Sequence, residues 1–498
     1  MTSSDDPAHW IERAALDRPQ SLFLRTPGGR ALTYEALQVE TSRLACALMA
    51  RGVGSADRVA VQVDKSVDAV LLYLACLRLG AVFVPINTAN TVHEVEYFLR
   101  DSQPRLAVVR PADGALLEPI AARIGVPQVE TLGTGGEGTL LEWARRASTG
   151  RLPDRGGDAH SPAAIVYTSG TTGRSKGAVL TRGNLSSNGS VLADAWHFTA
   201  ADVLLHTLPL FHVHGLFAAI NTVLASGSSM VLLPKFDGTQ VLNFLPEVTV
   251  YMGVPTHYTR LLQEPGLDRR AAAGVRLFVS GSAPLLAETH QEFERRTGHR
   301  IVERYGMTET LMITSNPYEG ERIPGSVGPP LPGIHVRIAD DLGNIQVKGP
   351  NVFAGYHGDP VKTQAEFTPD GWFKTGDLGR IENGYVYISG RAKDLVISGG
   401  YNVYPKEVES ELDAIAGVLE SAVFGVPHPD FGEGVTAAVV SQQGTTLTEA
   451  ALVAVLKARL AGYKIPKRIV FVDELPRNTM GKVQKNTLRT LHAGLYGK

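Results

Sequence analysis

The densest chemistry in the chain lies in one run, Thr168-Ser169-Gly170-Thr171-Thr172-Gly173-Arg174-Ser175-Lys176-Gly177. Its glycines leave backbone N–H groups accessible, its hydroxyls add donors, and Arg174 and Lys176 bring positive charge. Directly after a strand-like stretch at 164–167, such a run suits a loop that wraps polyphosphate. It is not a Walker A loop, because the spacing of glycines to a Gly-Lys-Ser/Thr end does not fit. A plain Ser/Gly-rich surface loop would leave the two cations without a purpose.

Two further segments carry reactive side chains. Phe211-His212-Val213-His214-Gly215 sets two imidazoles two residues apart, as in some zinc sites. No third or fourth ligand stands at a suitable spacing, so the wall of a pocket is the better reading. In Val254-Pro255-Thr256-His257-Tyr258-Thr259-Arg260-Leu261-Leu262 a cation interrupts a mostly apolar helical pattern. Walled into a cavity, Arg260 would need a carboxylate partner, which a substrate's second carboxylate would supply bidentately. On the solvent face of the same helix it would need none. Residue chemistry alone leaves these two readings even.

The elements that must position these groups follow from hydrophobic periodicity. Strands are expected at 59–63, 81–85 and 106–109, with helices at 67–79 and 93–99 between them. That order predicts a mostly parallel sheet covered by helices. After a polar connection at 133–161, strands resume at 164–167, 203–205, 229–233, 248–251 and 276–279. From 325 to 390 glycine and proline become frequent and the strands look antiparallel, 336–338 with 344–347 being one pair. Beyond 393 a helix after Pro405, a strand at 435–440, a helix at 449–460 and a strand at 468–472 make a small α+β unit.

At 498 residues the chain exceeds what one core usually supports, so at least two domains are expected. A net charge of −2, with no basic run interleaved with aromatics, argues against nucleic acid as a partner. Cys46 and Cys76 sit in apolar helical stretches without metal-ligand spacing and read as free thiols of a reducing compartment. The first residues lack a signal-peptide pattern and no apolar run reaches membrane-spanning length. A cytoplasmic enzyme without a membrane partner, monomeric or weakly dimeric, is the expectation.

The run at 168–177 resembles the signature loop of the adenylate-forming superfamily, which includes the acyl-CoA synthetases. Four more segments resemble that family in its order: Glu303-Arg304-Tyr305-Gly306-Met307-Thr308-Glu309, Trp372-Phe373-Lys374-Thr375-Gly376-Asp377, Gly390-Arg391-Ala392-Lys393-Asp394 and Pro476-Arg477-Asn478-Thr479-Met480-Gly481-Lys482. The resemblance implies an α/β fold with a large N-terminal domain, 1–392, made of α/β subdomains plus a small β-barrel-like region. A small mobile α+β domain, 393–498, would follow. It implies ATP, Mg²⁺ and coenzyme A as reactants. Tyr305 would stack on adenine and Thr308 touch the α-phosphate, with Ser282, Ala283, Glu303, Arg304, Gly306 and Met307 completing the nucleotide site. Thr168 and Glu309 would hold Mg²⁺, and Asp377 and Arg391 the ribose. Lys482 would bridge the acid and the α-phosphate, and Lys393 would be the pivot that brings Ser398, Gly399 and Gly400 to the pantetheine arm.

Phe278-Val279-Ser280-Gly281-Ser282-Ala283-Pro284-Leu285 and Thr314-Ser315-Asn316-Pro317-Tyr318 resemble the malonyl-CoA synthetase branch. By that resemblance Arg260 takes the distal carboxylate with Ser280 in support, and Arg304 is the alternative cation. His212 would close the pocket, while Thr207 and Met307 would set tolerance for a 2-methyl group, making methylmalonate a second candidate acid. Other readings are a ligase for a short-chain or aryl acid, and an adenylation enzyme that loads a carrier protein.

Overall fold

The computed structural model describes residues 6–147, 152, 157–168, 175–399, 401–478 and 481–497. The helix Val67–Leu79 shows how its elements are held. The Ser66 hydroxyl accepts the Ala69 N–H at one end, and Gly80, at φ 81°, ends the helix in the left-handed region. All of its side chains are buried, because it is enclosed between two sheets. Tyr73 meets Phe83 of one sheet and Phe217 beside the other, with ring centroids 5.4 and 5.7 Å apart.

Among the described residues four sheets form. The first runs, in spatial order, Gly355–Tyr356, Lys176–Thr181, Pro162–Thr168, Val82–Pro85, Arg58–Gln62, Leu106–Val109 and Val129–Thr131. Its core is parallel, as strand–helix–strand order predicts. The second runs Leu311–Ser315, Val302–Met307, Leu277–Ser280, Val250–Gly253, Val203–His206, Ser229–Leu232, Leu22–Arg25 and Ala31–Thr33. Its middle is parallel too, so the strand ends that carry chemistry share one edge.

A third, antiparallel sheet joins His335–Ile338, Asn344–Lys348, Phe373–Glu382 and Tyr385–Arg391. The expected pairing of 336–338 with 344–347 is present, Val336 opposite Val347. The fourth sheet, around the long hairpin Val418–His428 and Gly432–Ser441, begins at Val396–Ser398 and has its own apolar cores. Two features were not foreseen. The run 168–177 joins the antiparallel strands Pro162–Thr168 and Lys176–Thr181, and Val302–Met307 folds back antiparallel on Leu311–Ser315. No helix among the described residues is long and apolar enough to cross a membrane.

Candidate active site

The parallel strands of the second sheet end beside one another and deliver His206 and Thr207, the helix Pro255–Leu261, Ser280 to Ser282, and Arg304 to Met307. Such carboxyl ends are where open α/β sheets take their ligands. Here three buried polar residues have atoms without partners among the described residues: Nε and Nη2 of Arg304, Oγ of Ser280 and Nε2 of His214. Arg304 is 4% exposed, and burial pushes it down to about 9, which still leaves it charged at neutral pH. Gly281 leaves it room, since a Cβ there would lie 2.4 Å from the guanidinium carbon. Ser282 is held at φ 73°, a strained conformation for a residue with a side chain, and its hydroxyl lies 3.3 Å from His214 Nδ1.

Arg260 is exposed, off the face marked by Tyr258 and Leu261 but three residues after the buried His257, where its charge is felt. The walled-in guanidinium expected at Arg260 is at Arg304.

Histidines line the cavity in neutral form. Burial first, then Arg304 and Lys482, push His212 down to about 4. Burial, followed by Arg304, holds His214 well below the usual range. His257 is brought to about 3 by burial, with Arg260 and Lys65 adding; it stacks on Phe236 and lies 3.0 Å from the Tyr251 hydroxyl. That hydroxyl is 3.5 Å from Thr207 Oγ1. Met307 is part-buried.

A second cluster of charged groups adjoins this cavity. Asp377, 3% exposed, accepts the Tyr305 hydroxyl and pairs with Arg391 Nε at 2.6 Å. Burial alone would lower Arg391; Asp377, Tyr305 and Glu309 together raise it. Glu309 is buried, which pushes its carboxyl up, and its Oε1 accepts the Tyr356 hydroxyl at 3.1 Å. The face of Tyr356 in turn holds the Lys176 ammonium, 5.4 Å from the ring centroid. Thr168 stands opposite Lys176 in the hairpin ladder. Lys482 reaches the same cluster: burial and then Arg391 lower it, while Asp377 opposes. Ala283, Gly306 and Thr308 are part-buried.

Glu303 turns away from this cluster. Its carboxylate faces His290 at 3.4 Å and the Gly325 N–H at 3.2 Å, and its carbonyl accepts from Asn316. Its side chain supports the neighbouring loop. Lys393 lies in the short turn Ala392–Asp394 between the third and fourth sheets. Ser398 is buried at the end of its strand, and Gly399 is exposed at φ 59°. Ser169, Gly170, Thr171, Thr172, Gly173 and Gly400 lie outside the described residues. Sequence reasoning missed Tyr356, His257, His206 and Lys65; a tyrosine in an Ala-Gly-Tyr turn or a lone lysine carries no spacing signal.

A buried arginine and the loop residue Lys482 both act on His212, and Lys482 also meets the Asp377 cluster, which defines a site for joining anions. Residues 10–357 match the AMP-binding enzyme family and residues 407–482 the AMP-binding enzyme C-terminal domain; the chain belongs to this family. ATP-bound MatB from Rhodopseudomonas palustris is 52% identical, with a TM-score of 0.96 over 98% of this chain and 99% of that one. Apo MatB, at the same identity and coverage, superposes with a TM-score of 0.85. The mitochondrial malonate–CoA ligase ACSF3 of Bos taurus is 35% identical over 97% of this chain and 92% of its own. A sulfoacetate–CoA ligase of Cupriavidus necator is 37% identical over 97% of both.

Proposed function

We propose that this protein ligates malonate to coenzyme A with ATP, through malonyl-adenylate, giving malonyl-CoA, AMP and pyrophosphate. One observation carries the choice of acid: among the described residues the buried guanidinium of Arg304 has no counter-ion, and the buried Ser280 hydroxyl on the next strand has no partner. Burying an unpaired charge is costly, so the incoming molecule is expected to bring the anion. Malonate does so with its distal carboxylate. The malonate ligases among its relatives support the same choice. Thr207 and Met307 would set tolerance for a 2-methyl group, which makes methylmalonate the next acid.

Adenylation joins two anions, and the site's own cations lower their repulsion. Lys482 bridges the reacting carboxylate and the α-phosphate. Lys176 and Thr168 stand at the mouth of the loop that takes the β- and γ-phosphates. Tyr305 stacks on adenine. Asp377, released from the Tyr305 hydroxyl, accepts the ribose hydroxyls, and Arg391 donates to a ribose oxygen. Buried Glu309 fits a hard divalent cation, because its desolvated carboxylate gains most from a nearby positive charge. With Thr168 it would hold Mg²⁺, which supplies charge neutralisation on the phosphates. In the second half-reaction residues 393–498 turn about Lys393, Lys482 leaves, and Ser398 to Gly400 approach the thiol. The boundary at 392/393 is part of this proposal. So is a cytoplasmic location, supported by the free thiols of Cys46 and Cys76.

The same guanidinium would accept a sulfonate, which makes sulfoacetate the competing acid. ATP–pyrophosphate exchange with malonate, methylmalonate, sulfoacetate, acetate and benzoate tests the choice. Malonate is expected to give the highest kcat/KM; acetate or benzoate outrunning it would end the assignment.

A further inference from the structure

A buried relay lies outside the residues assigned so far. Lys65 follows the strand Arg58–Gln62 and directly precedes Ser66, the cap of Val67–Leu79. Its Nζ reaches from the first sheet to the second, 2.8 Å from His206 Nδ1 and 2.9 Å from the His206 carbonyl oxygen. His206 is 1% exposed, and its Nε2 lies 2.8 Å from the Gly215 carbonyl oxygen. One proton arrangement satisfies all three contacts. A carbonyl only accepts, so Nε2 carries the ring proton, and bare Nδ1 accepts from an N–H of Lys65. A second ring proton is disfavoured, since burial and then the Lys65 charge hold His206 well below the usual histidine range.

Gly215 closes the turn that carries His212 and His214. A Cβ there would lie 2.2 Å from the Pro209 carbonyl oxygen, so 209–215 folds tightly on itself. The His206 ring grips that turn at its end. Burial lowers the Lys65 ammonium well below the usual lysine range, and no carboxylate among the described residues offsets it.

We propose that Lys65 is a positioning residue for the acid: through the fixed tautomer of His206 it holds the 207–215 wall against which the acid lies. This rests on 207–215 being the wall of the acid pocket. The test is Lys65→Met in the full-length enzyme, with KM for the best wild-type acid and the Kd of ATP measured separately. KM for the acid is expected to rise at least tenfold while the Kd of ATP stays within twofold. Equal changes in both, or an acid KM within twofold of wild type, overturn the proposal. Should Lys65→Met not fold, His206 decides. His206→Gln keeps an acceptor for Lys65 and a donor for Gly215, so its acid KM should stay well below that of His206→Phe; equal values overturn the relay. Wild-type acid preference is read independently, so a protein preferring another acid would sink the malonate reading and leave this comparison intact.

Discussion

At the scale of single residues, a charge without a partner costs the free protein and rewards the complex. Replacing Arg304 by Met removes an uncompensated buried charge, so the unliganded protein should gain on the order of 1–3 kcal/mol in stability. The same change should lower kcat/KM for malonate by about a hundredfold or more, since a charge-assisted pair is lost. Thermal melts and malonate kinetics on one preparation check both signs; a melting temperature that falls with activity would point to a structural arginine. Arg260→Ala, at an exposed position, should change malonate kcat/KM by less than about threefold. The sequence offered Arg260 first and Arg304 only as the alternative cation. Tyr258 and Leu261 mark the inner face of the Arg260 helix, and Arg260 falls beside it, three residues after the buried His257. Arg304, in contrast, sits in a strand whose facing depends on which neighbours it pairs with, and local pattern does not reveal that. Lys65 was invisible for the same reason: its partner is 141 residues away.

At the scale of elements, the helix Pro405–Asp413 ends on a carboxylate, which the helix dipole disfavours at that end. Burial, followed by the like charges of Glu409 and Glu288, pushes Asp413 up to about 7, although Ser421 donates to it at 2.7 Å. A raised folded-state value means the stability is present below the ordinary carboxylate range. It is lost as pH climbs from 3.8 through about 7. Asp413→Asn, which keeps an acceptor for Ser421, should stabilise the protein by on the order of 2 kcal/mol at pH 8 and by little at pH 4. Urea unfolding at both pH values measures it, and a pH-independent difference would contradict the cause given. Elements with strong periodicity were legible before folding: 67–79 is a helix to the residue, and 106–109 a strand. The fold-back of Leu311–Ser315 was not. It requires Gly306, whose Cβ would lie 2.0 Å from the Leu311 carbonyl oxygen, and Leu311 itself at φ 51°. A close backbone approach of that kind has no hydrophobic signature.

At the scale of the whole molecule, Lys482 stands near enough to lower His212 and is itself lowered by Arg391. So placed, Lys482 suits the adenylation step of the proposed cycle. Lys482→Ala should abolish pyrophosphate exchange, a loss of about a hundredfold or more, yet leave attack of coenzyme A on supplied malonyl-adenylate within about threefold. Equal damage to both half-reactions, followed in single turnovers, would contradict the swing about Lys393.

The helix Val67–Leu79, with no face toward water, has a consequence for how the protein breathes. Its amides reach solvent only when the layers on both sides part, so they should exchange with deuterium by global opening and rank among the slowest in the chain. Strand amides of Val418–His428, which belong to separate apolar cores, are free to exchange through a lesser opening. Peptide-resolved deuterium uptake would reveal two protection plateaus, and a single one would mean that the small sheet melts together with the rest.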